Sequence, residues 1–328
     1  DLADEALFNA AVDFHKGGNP EQAIAVRERL VREYPKSELA PDALFRNAVA
    51  FEEMTDFAAA AAAYEAYAAR WEAQKPPPRR GRGRGAAKQQ PPSEAKYDAT
   101  KAKTALYNAG ILREAIGDYR QALRNRTRFL EHWPRDADAE AVFLSIADLH
   151  EKSGNGRLAI RQLEAYQKER WARDAAKLIA SHGRIAKIHE RRGAIGARNR
   201  VYEEIWKIWS RLPRARRARI DGPALEAVAH AHFVLSEPTW RAYERIRLRL
   251  PEARMAQALK EKGAALLEVQ KRYTETVELK AAGPGICALE RIGRGYAEFA
   301  RALYEAPVPR GFNEEQVALY KAALAEEA

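Results

Sequence analysis

The chain has seven histidines, and two pairs lie close enough in sequence to be tested as metal ligands or acid–base partners. His182 and His189 are seven residues apart, so they would lie two turns apart on one helix face, whereas His230 and His232 would diverge on a helix. Neither pair has the four-residue spacing with a neighbouring glutamate that helical zinc sites use. The pattern therefore predicts packing histidines and no metal site.

Motifs for nucleophilic catalysis and for cofactor binding are missing from the sequence. Cys287 is the only cysteine, so the chain can form neither an intramolecular disulfide nor a thiolate metal site. There is no Gly-x-Ser-x-Gly sequence and no phosphate-binding loop that ends in Gly-Lys-Ser/Thr, and the segment Gly283-Pro284-Gly285 lacks the further glycine of a dinucleotide fingerprint. We predict that the protein is not an enzyme and that it binds no cofactor.

Arginine provides the most prominent polar signal in this 328-residue chain, whose formal net charge is +10. One basic run lies in residues 75–94, KPPPRRGRGRGAAKQQPPSE, and a second consists of Arg214, Arg216, Arg217 and Arg219. Nucleic-acid-binding segments interleave such residues with aromatic side chains that stack on bases, and residues 72–96 contain none. We therefore do not expect nucleic acid as a partner. A cytoplasmic adaptor that binds nucleic acid or another polyanion through the second run is the alternative hypothesis.

The elements that position these residues form a repeat. Residues 6–35, ALFNAAVDFHKGGNPEQAIAVRERLVREYP, predict two amphipathic helices, a Gly-Gly-Asn-Pro turn and a closing proline. Small residues, Ala11 and Ala23, occupy the positions where the paired helices must approach closely. The pattern recurs, most loosely in its last copy, over residues 43–71, 105–134, 142–166 and 178–209. It resembles the tetratricopeptide repeat, which implies an all-α, right-handed α-solenoid of helical hairpins.

The repeats predict four segments along the chain. Repeats 1 and 2 occupy residues 1–73, a Pro/Gly/Arg-rich insertion or linker occupies 74–95, repeats 3 to 5 occupy 96–212, and divergent helical repeats follow over 213–328. We favour an insertion that loops out of a continuous stack, because two repeats alone would leave an apolar face unburied. If the third repeat does not pack on the second, the segment instead divides a two-repeat module from the remainder.

Helical periodicity continues beyond the fifth copy, with glycines and prolines between the helices. We expect the segment Gly283-Pro284-Gly285 to break one helix from the next. The predicted helices span residues 224–235, 239–250, 253–279, 286–303 and 314–327. The last of them has no predicted partner, so homo-oligomerisation through it is a structural alternative, and the oligomeric state stays open.

Two stretches resemble more specific groups of tetratricopeptide proteins. Residues 33–51, EYPKSELAPDALFRNAVAF, are similar to proteins of Gram-negative envelopes, such as the Tol-Pal-associated periplasmic protein and the lipoprotein of the outer-membrane barrel assembly machine. Residues 288–326 resemble the end of large myxobacterial proteins, including those of the adventurous gliding-motility machinery. These resemblances imply a non-catalytic scaffold in a cell-envelope assembly, such as a motility or outer-membrane machine, whose partners are other proteins.

The resemblances also imply a periplasmic or outer-membrane-associated location, and a cytoplasmic one is the alternative. No stretch approaches the roughly 18 consecutive apolar residues of a membrane-spanning helix, so we expect no membrane span. The sequence begins at Asp1 without a charged-then-apolar leader. We interpret this beginning as the result of cleavage or trimming of any secretory signal.

The resemblance places partner binding on a concave surface lined by the first helix of each hairpin, where a helix or extended segment would dock. Members that clamp a C-terminal carboxylate have an asparagine directly after the small residue of the first helix. Val12 follows Ala11 and Ile111 follows Gly110 here, so we predict no such clamp. The candidate contacts are the polar residues of the first helices away from the packing stripe: Asn9, Asp13, Arg46, Asn47, Asn108, Arg113 and Asp148.

Overall fold

The computed structural model describes residues 2–74 and 95–326, so the arginine- and glycine-rich residues 75–94 lie outside the described residues. Within these ranges the regular structure is entirely helical, which confirms the predicted all-α fold of helical hairpins. The helices are α1 (Leu2–Lys16), α2 (Pro20–Glu33), α3 (Ala40–Glu53), α4 (Phe57–Ala73), α5 (Ala99–Ala115), α6 (Tyr119–His132), α7 (Ala139–Lys152), α8 (Gly156–Tyr166), α9 (Ala175–Arg191), α10 (Ile195–Arg211), α11 (Arg214–Arg217), α12 (Gly222–Leu235), α13 (Glu237–Arg245), α14 (Glu252–Glu278), α15 (Ala282–Tyr304) and α16 (Glu314–Glu326).

The chain divides into two compact units, Asp1–Gln162 and Leu163–Ala328. Unit 1 contains α1 to α7 and unit 2 contains α9 to α16, with α8 shared between the two ranges. Each of the five predicted repeat copies coincides with one hairpin, from α1–α2 to α9–α10. Within unit 1 each helix from α1 to α7 packs against the next one in the chain, so the hairpins form an uninterrupted stack.

The five hairpin turns share one backbone design. The N–H of Asp56 donates to the Phe51 carbonyl at 2.9 Å, and the equivalent bond of 2.8–2.9 Å closes the other four turns. Such a bond satisfies a carbonyl at the end of the first helix that would otherwise lack a partner. It requires a left-handed residue just before the donor. In the five turns this residue is Gly18, Thr55, Gly117, Gly154 or Gly193, and its φ angle lies between 60° and 79°.

Gln74 holds together the two points where the described chain leaves α4 and enters α5. Its Nε2 donates to the Ala95 carbonyl at 3.2 Å, and its Oε1 accepts from the Tyr97 N–H at 3.2 Å. The Tyr67 hydroxyl oxygen accepts from the Asp98 N–H at 3.0 Å. Helix α5 therefore packs directly on α4, as a looped-out insertion requires, while the predicted domain boundaries themselves stay a prediction.

Unit 2 has two aromatic-rich cores. In the first, Tyr202, Ile205 and Trp209 of α10 pack with Val228 of α12 and with Ile179 of α9. In the second, α13, α14 and α15 surround a cluster whose buried members include Trp240, Tyr243, Leu266, Val269 and Tyr273.

Close helix approaches define the geometry of unit 2. A Cβ atom on Gly183 would lie 2.7 Å from the Cβ of Ala227, so α9 approaches α12 at a point where only glycine fits. The Tyr243 hydroxyl donates to the Gly295 carbonyl at 2.7 Å, which joins α13 to α15 inside the second core.

Two predictions of helix boundaries were wrong. The helix predicted over 239–250 ends at Arg245, because the ammonium of buried Lys262 donates to the carbonyls of Tyr243 and Ile246 at 3.3 and 3.2 Å and so caps that end. The segment Gly283-Pro284-Gly285 does not break a helix but lies in the first turn of α15. Proline is tolerated there because the first N–H groups of a helix have no intrahelical partner.

Replacing Thr55 with glycine should stabilise the protein. A left-handed conformation costs an L-residue roughly 1–2 kcal/mol, and glycine gives back roughly 0.5–1 kcal/mol as extra chain entropy, so we expect a net gain of up to about 1 kcal/mol. The matched control is Gly117→Thr in the next hairpin, which should lose a similar amount. Urea denaturation followed by far-UV circular dichroism measures both. A lower unfolding midpoint for Thr55→Gly would contradict the shared turn design.

Candidate protein-binding site

Apolar side chains occupy equivalent positions on the first helices of unit 1. Each first helix has a small residue where it meets its second helix: Ala11, Ala48, Gly110 and Ala147. A large apolar residue stands three positions before it and, in three of four cases, an aliphatic residue directly after it. We call these eight positions the first-helix row: Phe8 and Val12, Phe45 and Val49, Tyr107 and Ile111, Leu144 and Asp148.

The first-helix row is most open on α5. Tyr107 and Ile111 keep 37% and 46% of their surface exposed, whereas the other members are partly buried. Beside them lies a cavity of about 150 Å³, which we call the notch. It is lined by Leu106, Tyr107, Ile111, Arg126, Phe129, Ala141, Val142 and Ser145.

A buried arginine forms the polar wall of the notch. Arg126 donates from Nη1 to the Ser145 carbonyl at 3.1 Å and forms an ion pair with Glu114. Burial raises the pKa of Glu114, but hydrogen bonds from Lys152 and Arg126 outweigh burial and bring that pKa below its ordinary value. Glu114 is therefore ionised at neutral pH, and the network ties α5, α6 and α7 together beside the notch. Gly110 packs against the aliphatic stem of Arg126, since a Cβ added to it would lie 3.4 Å from the Arg126 Cγ.

Arg113, a predicted contact residue, belongs to a second buried network. Its guanidinium donates to both carboxylate oxygens of Glu65, at 2.9 and 2.8 Å, and Asn125 Nδ2 donates to the same carboxylate at 2.7 Å. Only 15% of the Arg113 side chain is exposed. Bidentate pairs of this kind fix geometry, so Arg113 joins α5 to α4.

Three further predicted residues also engage their own chain. Asn47 is buried, and its Nδ2 donates to the Ile24 carbonyl at 3.3 Å, so its side chain is not available to a partner. Asn108 is half-buried near Tyr64, whose hydroxyl donates to the Glu52 carboxylate at 2.9 Å and whose pKa burial raises to about 12. Asp148 is half-buried as a member of the first-helix row. The sequence placed all three away from the packing stripe because helical periodicity does not reveal which neighbour a polar side chain meets.

The remaining predicted residues lie at the surface. Asn9 and Asp13 are exposed on α1. Arg46 is exposed on α3, pairs with Asp42 at 2.5 Å and lies over the Phe8 ring at 5.8 Å. Asp42 also accepts from Lys101 Nζ at 2.7 Å, which links α3 to α5. The predicted contacts therefore do not form one cluster.

Sequence reasoning missed the apolar members of the first-helix row, although a signal was present. Each stands at a fixed distance from the small residue that defines its repeat copy, so aligning the copies on Ala11, Ala48, Gly110 and Ala147 would have found the row. The residues predicted as contacts were all polar.

The second basic run lies in and just after the short helix α11. Arg217 folds back onto the end of α10, where its guanidinium donates to the carbonyls of Leu212 at 2.9 Å and Ser210 at 2.5 Å. It also lies over the Trp209 ring at 5.5 Å, so it is a packing residue. The exposed members of the run are Arg214, Arg216 and Arg219.

The histidines singled out by the sequence are packed among their neighbours. His232 is 2% exposed, with Nδ1 2.7 Å from the Thr276 hydroxyl and its ring 4.4 Å from the Trp206 ring. His230 lies against Tyr202, with 5.5 Å between ring centres. Over residues 2–74 and 95–326, no three His, Cys, Asp or Glu side chains converge as a metal site would require. None of the described helices is long and apolar enough to cross a bilayer.

Comparison with known families identifies the repeat unit. Residues 5–37 match the family model of the tetratricopeptide repeat. These residues form α1, its turn and α2, and the four hairpins that follow have the same turn. No curated protein matches the chain at a significant level.

Several solved structures are similar to this chain. A tetratricopeptide repeat protein from Parabacteroides merdae is 15% identical, with 99% of each chain covered and a TM-score of 0.35. The C-terminal part of a repeat-containing protein from Cytophaga hutchinsonii is 15% identical, with 95% of this chain and 98% of the other covered and a TM-score of 0.37. The Rap conjugation regulator of plasmid pLS20, in complex with the Phr* peptide, is 13% identical, with 94% and 77% covered and a TM-score of 0.30.

Acidification should destabilise the protein through its buried histidines. Burial lowers the pKa of His232; the nearby charge of Glu275 opposes this shift and that of Arg272 adds to it. Burial also lowers the pKa values of His182 and His230. In the unfolded chain histidine has a pKa of about 6.5, so below that pH the unfolded state binds protons that the folded state does not. Stability is therefore complete above about pH 6.5 and falls below it.

The melting temperature, measured by circular dichroism, should fall as the pH is lowered from about 7.5 to about 5.5. The fall should be smaller in His232→Gln because that variant has one fewer histidine to protonate. A melting temperature that is constant or rises over this range would contradict the assignment.

Proposed function

We propose that this protein is a non-catalytic scaffold that binds a segment of a partner protein on the first-helix row, with the partner's apolar side chains seated in the notch. The observation that carries the proposal is the exposure of Tyr107 and Ile111 beside a cavity of about 150 Å³. Covering apolar surface contributes about 25 cal/mol per Å², and apolar patches rimmed by polar residues typically mark protein interaction sites.

The networks around the notch favour binding without rearrangement. Arg126 and Glu114 hold α5, α6 and α7 together, and Arg113 with Glu65 holds α5 to α4. Because these ion pairs are largely buried, breaking them would leave uncompensated charges, so the helices that carry Tyr107 and Ile111 are held in place. A site that is formed before binding costs its partner less conformational entropy.

Charge indicates the chemistry of the partner segment. The chain has a net charge of +10, yet the four first helices of unit 1 carry ten acidic and six basic side chains. The excess lies on α1, α3 and α7, which carry nine acidic and three basic side chains, whereas α5 carries one acidic and three basic. A partner segment with basic residues on the parts that extend beyond α5 would match this distribution. Electrostatic complementarity of this kind mainly raises association rates and excludes wrong partners, and salt weakens it.

We further propose that the partners belong to a Gram-negative cell-envelope assembly, such as a motility or outer-membrane machine. The support for this context is the resemblance of residues 33–51 and 288–326 to envelope and gliding-motility proteins. Of the second basic run, Arg217 is engaged with the end of α10, which leaves Arg214, Arg216 and Arg219 as the exposed residues that could contact a polyanion.

A photo-crosslinking amino acid at position 111 should capture the partner in cells that express the native gene. The control position is Ile116, which has nearly the same exposure, 43% against 46%, but does not line the notch. We expect an adduct of defined mass from position 111 and at least about tenfold less from position 116, as a localised contact requires. Adding Ile111→Asp to a crosslinker at Tyr107 should remove the adduct. Equal yields from positions 111 and 116, or none from either, would refute the proposed site.

Cys287 provides a test of location, because it is exposed and is the only cysteine in the chain. A membrane-impermeant maleimide, applied to cells whose outer membrane alone has been permeabilised, should label the protein, because the proposed compartment is then open to the reagent. Cys287→Ser is the control for specificity. Labelling that appears only after the inner membrane is lysed would place the protein in the cytoplasm and refute the envelope context.

A further inference from the structure

Exposed apolar side chains are concentrated on the last long hairpin of unit 2. Of fourteen large apolar residues that are exposed among the described residues, four lie on α15 and one on α14. On α15 these are Ile286, Leu289, Tyr296 and Tyr304, which are 68%, 56%, 46% and 84% exposed. Leu267 of α14, 65% exposed, is the fifth. Such a concentration marks an interaction surface more reliably than scattered exposed residues do.

These side chains lie along one face of α15. At 100° per residue they fall, with three small residues, within an arc of about 100°. The opposite face of the helix is buried, with Ala288 in the second core and Gly295 against Leu266 and Trp240. We call the exposed face the α15 stripe; its members are Ile286, Leu289, Gly293, Tyr296, Ala297, Ala300 and Tyr304.

The surface over the middle of the α15 stripe is open. An added Cβ on Gly293 would have no atom within 4 Å, and Ala297 and Ala300 follow one and two turns later. Another helix could therefore approach α15 to the short interaxial distances, about 8 Å, that small residues permit.

We propose that the α15 stripe binds the α15 stripe of a second copy of this chain, antiparallel and with a two-fold axis at Gly293. In that arrangement residue 293+n of one copy stands at the level of residue 293−n of the other. Ile286 then meets Ala300, Leu289 meets Ala297, and Tyr304 meets Ala282. These three large side chains are each opposed by an alanine, the fourth, Tyr296, stands at the level of Glu290, and glycine meets glycine at the centre. A self-complementary surface of this kind is the requirement for a two-fold dimer.

The charges along one edge of the stripe are complementary under the same symmetry. Glu290 has no ion-pair partner among the described residues, and Arg294 is only loosely paired, 3.5 Å from Glu298 and 3.9 Å from Glu244. A two-fold axis at Gly293 brings Glu290 of one copy to within two residues, about 3 Å along the helix axis, of Arg294 in the other. The contact occurs twice per dimer. This match favours a second copy over an unrelated helix as the occupant.

Gly293→Gln tests the dimer without disturbing the monomer. The new side chain meets no neighbour in the single chain and has a higher helix propensity than glycine, but it would block the close approach of two helices. By sedimentation equilibrium we expect the wild-type protein to dimerise and the variant to lose at least about tenfold in association constant. The matched control is Gly196→Gln on α10, where an added Cβ likewise meets nothing within 4 Å and which lies outside the stripe.

Charge exchange and a distance measurement test the arrangement itself. Glu290→Arg and Arg294→Glu should each weaken the dimer, and the double variant should restore it. Spin labels on Cys287, six residues from Gly293, would be about 18 Å apart along the axis of an antiparallel pair and about 8–10 Å apart across it, so electron–electron double resonance should report roughly 20–30 Å.

Three results would overturn the proposal. They are a protein that stays monomeric at about 100 µM, a dimer that Gly293→Gln leaves intact, and a monomer whose α15 stripe instead binds a helix of another protein. Ile111→Asp should leave dimerisation unchanged. The proposal for the α15 stripe and the proposal for the first-helix row can therefore be refuted independently of each other.

Discussion

A helical hairpin of this length buries little by itself, and everything else in the structure depends on how closely its two helices can approach each other and the next hairpin. That approach is set by one small residue per first helix. Ala11, Ala48 and Ala147 are fully buried, and Gly110 is buried against the stem of Arg126. In unit 2 the same constraint reaches its limit at Gly183, where even a methyl group would collide with Ala227. Larger residues at these points would separate the helices and open the core.

Close packing of the helices also decides what their polar side chains do. Where a first helix packs against a second helix, a charged residue is near charges of the neighbouring helix, and burial makes pairing preferable to exposure. Arg113 with Glu65, and Arg126 with Glu114, are results of this constraint. The polar residues therefore hold the stack together, while apolar residues of the first-helix row reach solvent beside the notch.

The two proposed surfaces have the same physical origin. A stack of amphipathic helices covers the apolar faces in its interior, but apolar side chains stay uncovered wherever the next helix does not close over them. In unit 1 this occurs at the notch, where the exposed residues belong to α5. In unit 2 it occurs along α15, whose inner face is buried against α13 and α14 while its outer face carries the α15 stripe. The notch is concave and suits an inserted side chain, whereas the stripe is shallow and suits another helix.

The sequence by itself determined the features that depend on local pattern. Helical periodicity located the five hairpins, and the turn residues were recognisable because a left-handed position selects glycine in four of the five copies. Small residues marked the helix contacts for the same reason, since sterics at one position require them. The sequence alone could not predict helix ends that depend on groups distant along the chain. Nothing near Arg245 shows that Lys262 will cap α13, and the beginning of α15 at a glycine-proline segment depends on first-turn geometry that a breaker rule ignores.

Tertiary structure alone decided which side chains are available to a partner. Asn47 and Arg113 are polar residues on first helices and are indistinguishable by periodicity from exposed ones, yet each is engaged by a group from another helix: the Ile24 carbonyl and the Glu65 carboxylate. Conversely, Tyr107 and Ile111 are apolar, which by itself favours burial, but they remain exposed beside the notch. Periodicity specifies the face of a helix on which a residue lies. Whether that face is covered depends on the distance to the next helix, which is set by packing between segments remote in sequence.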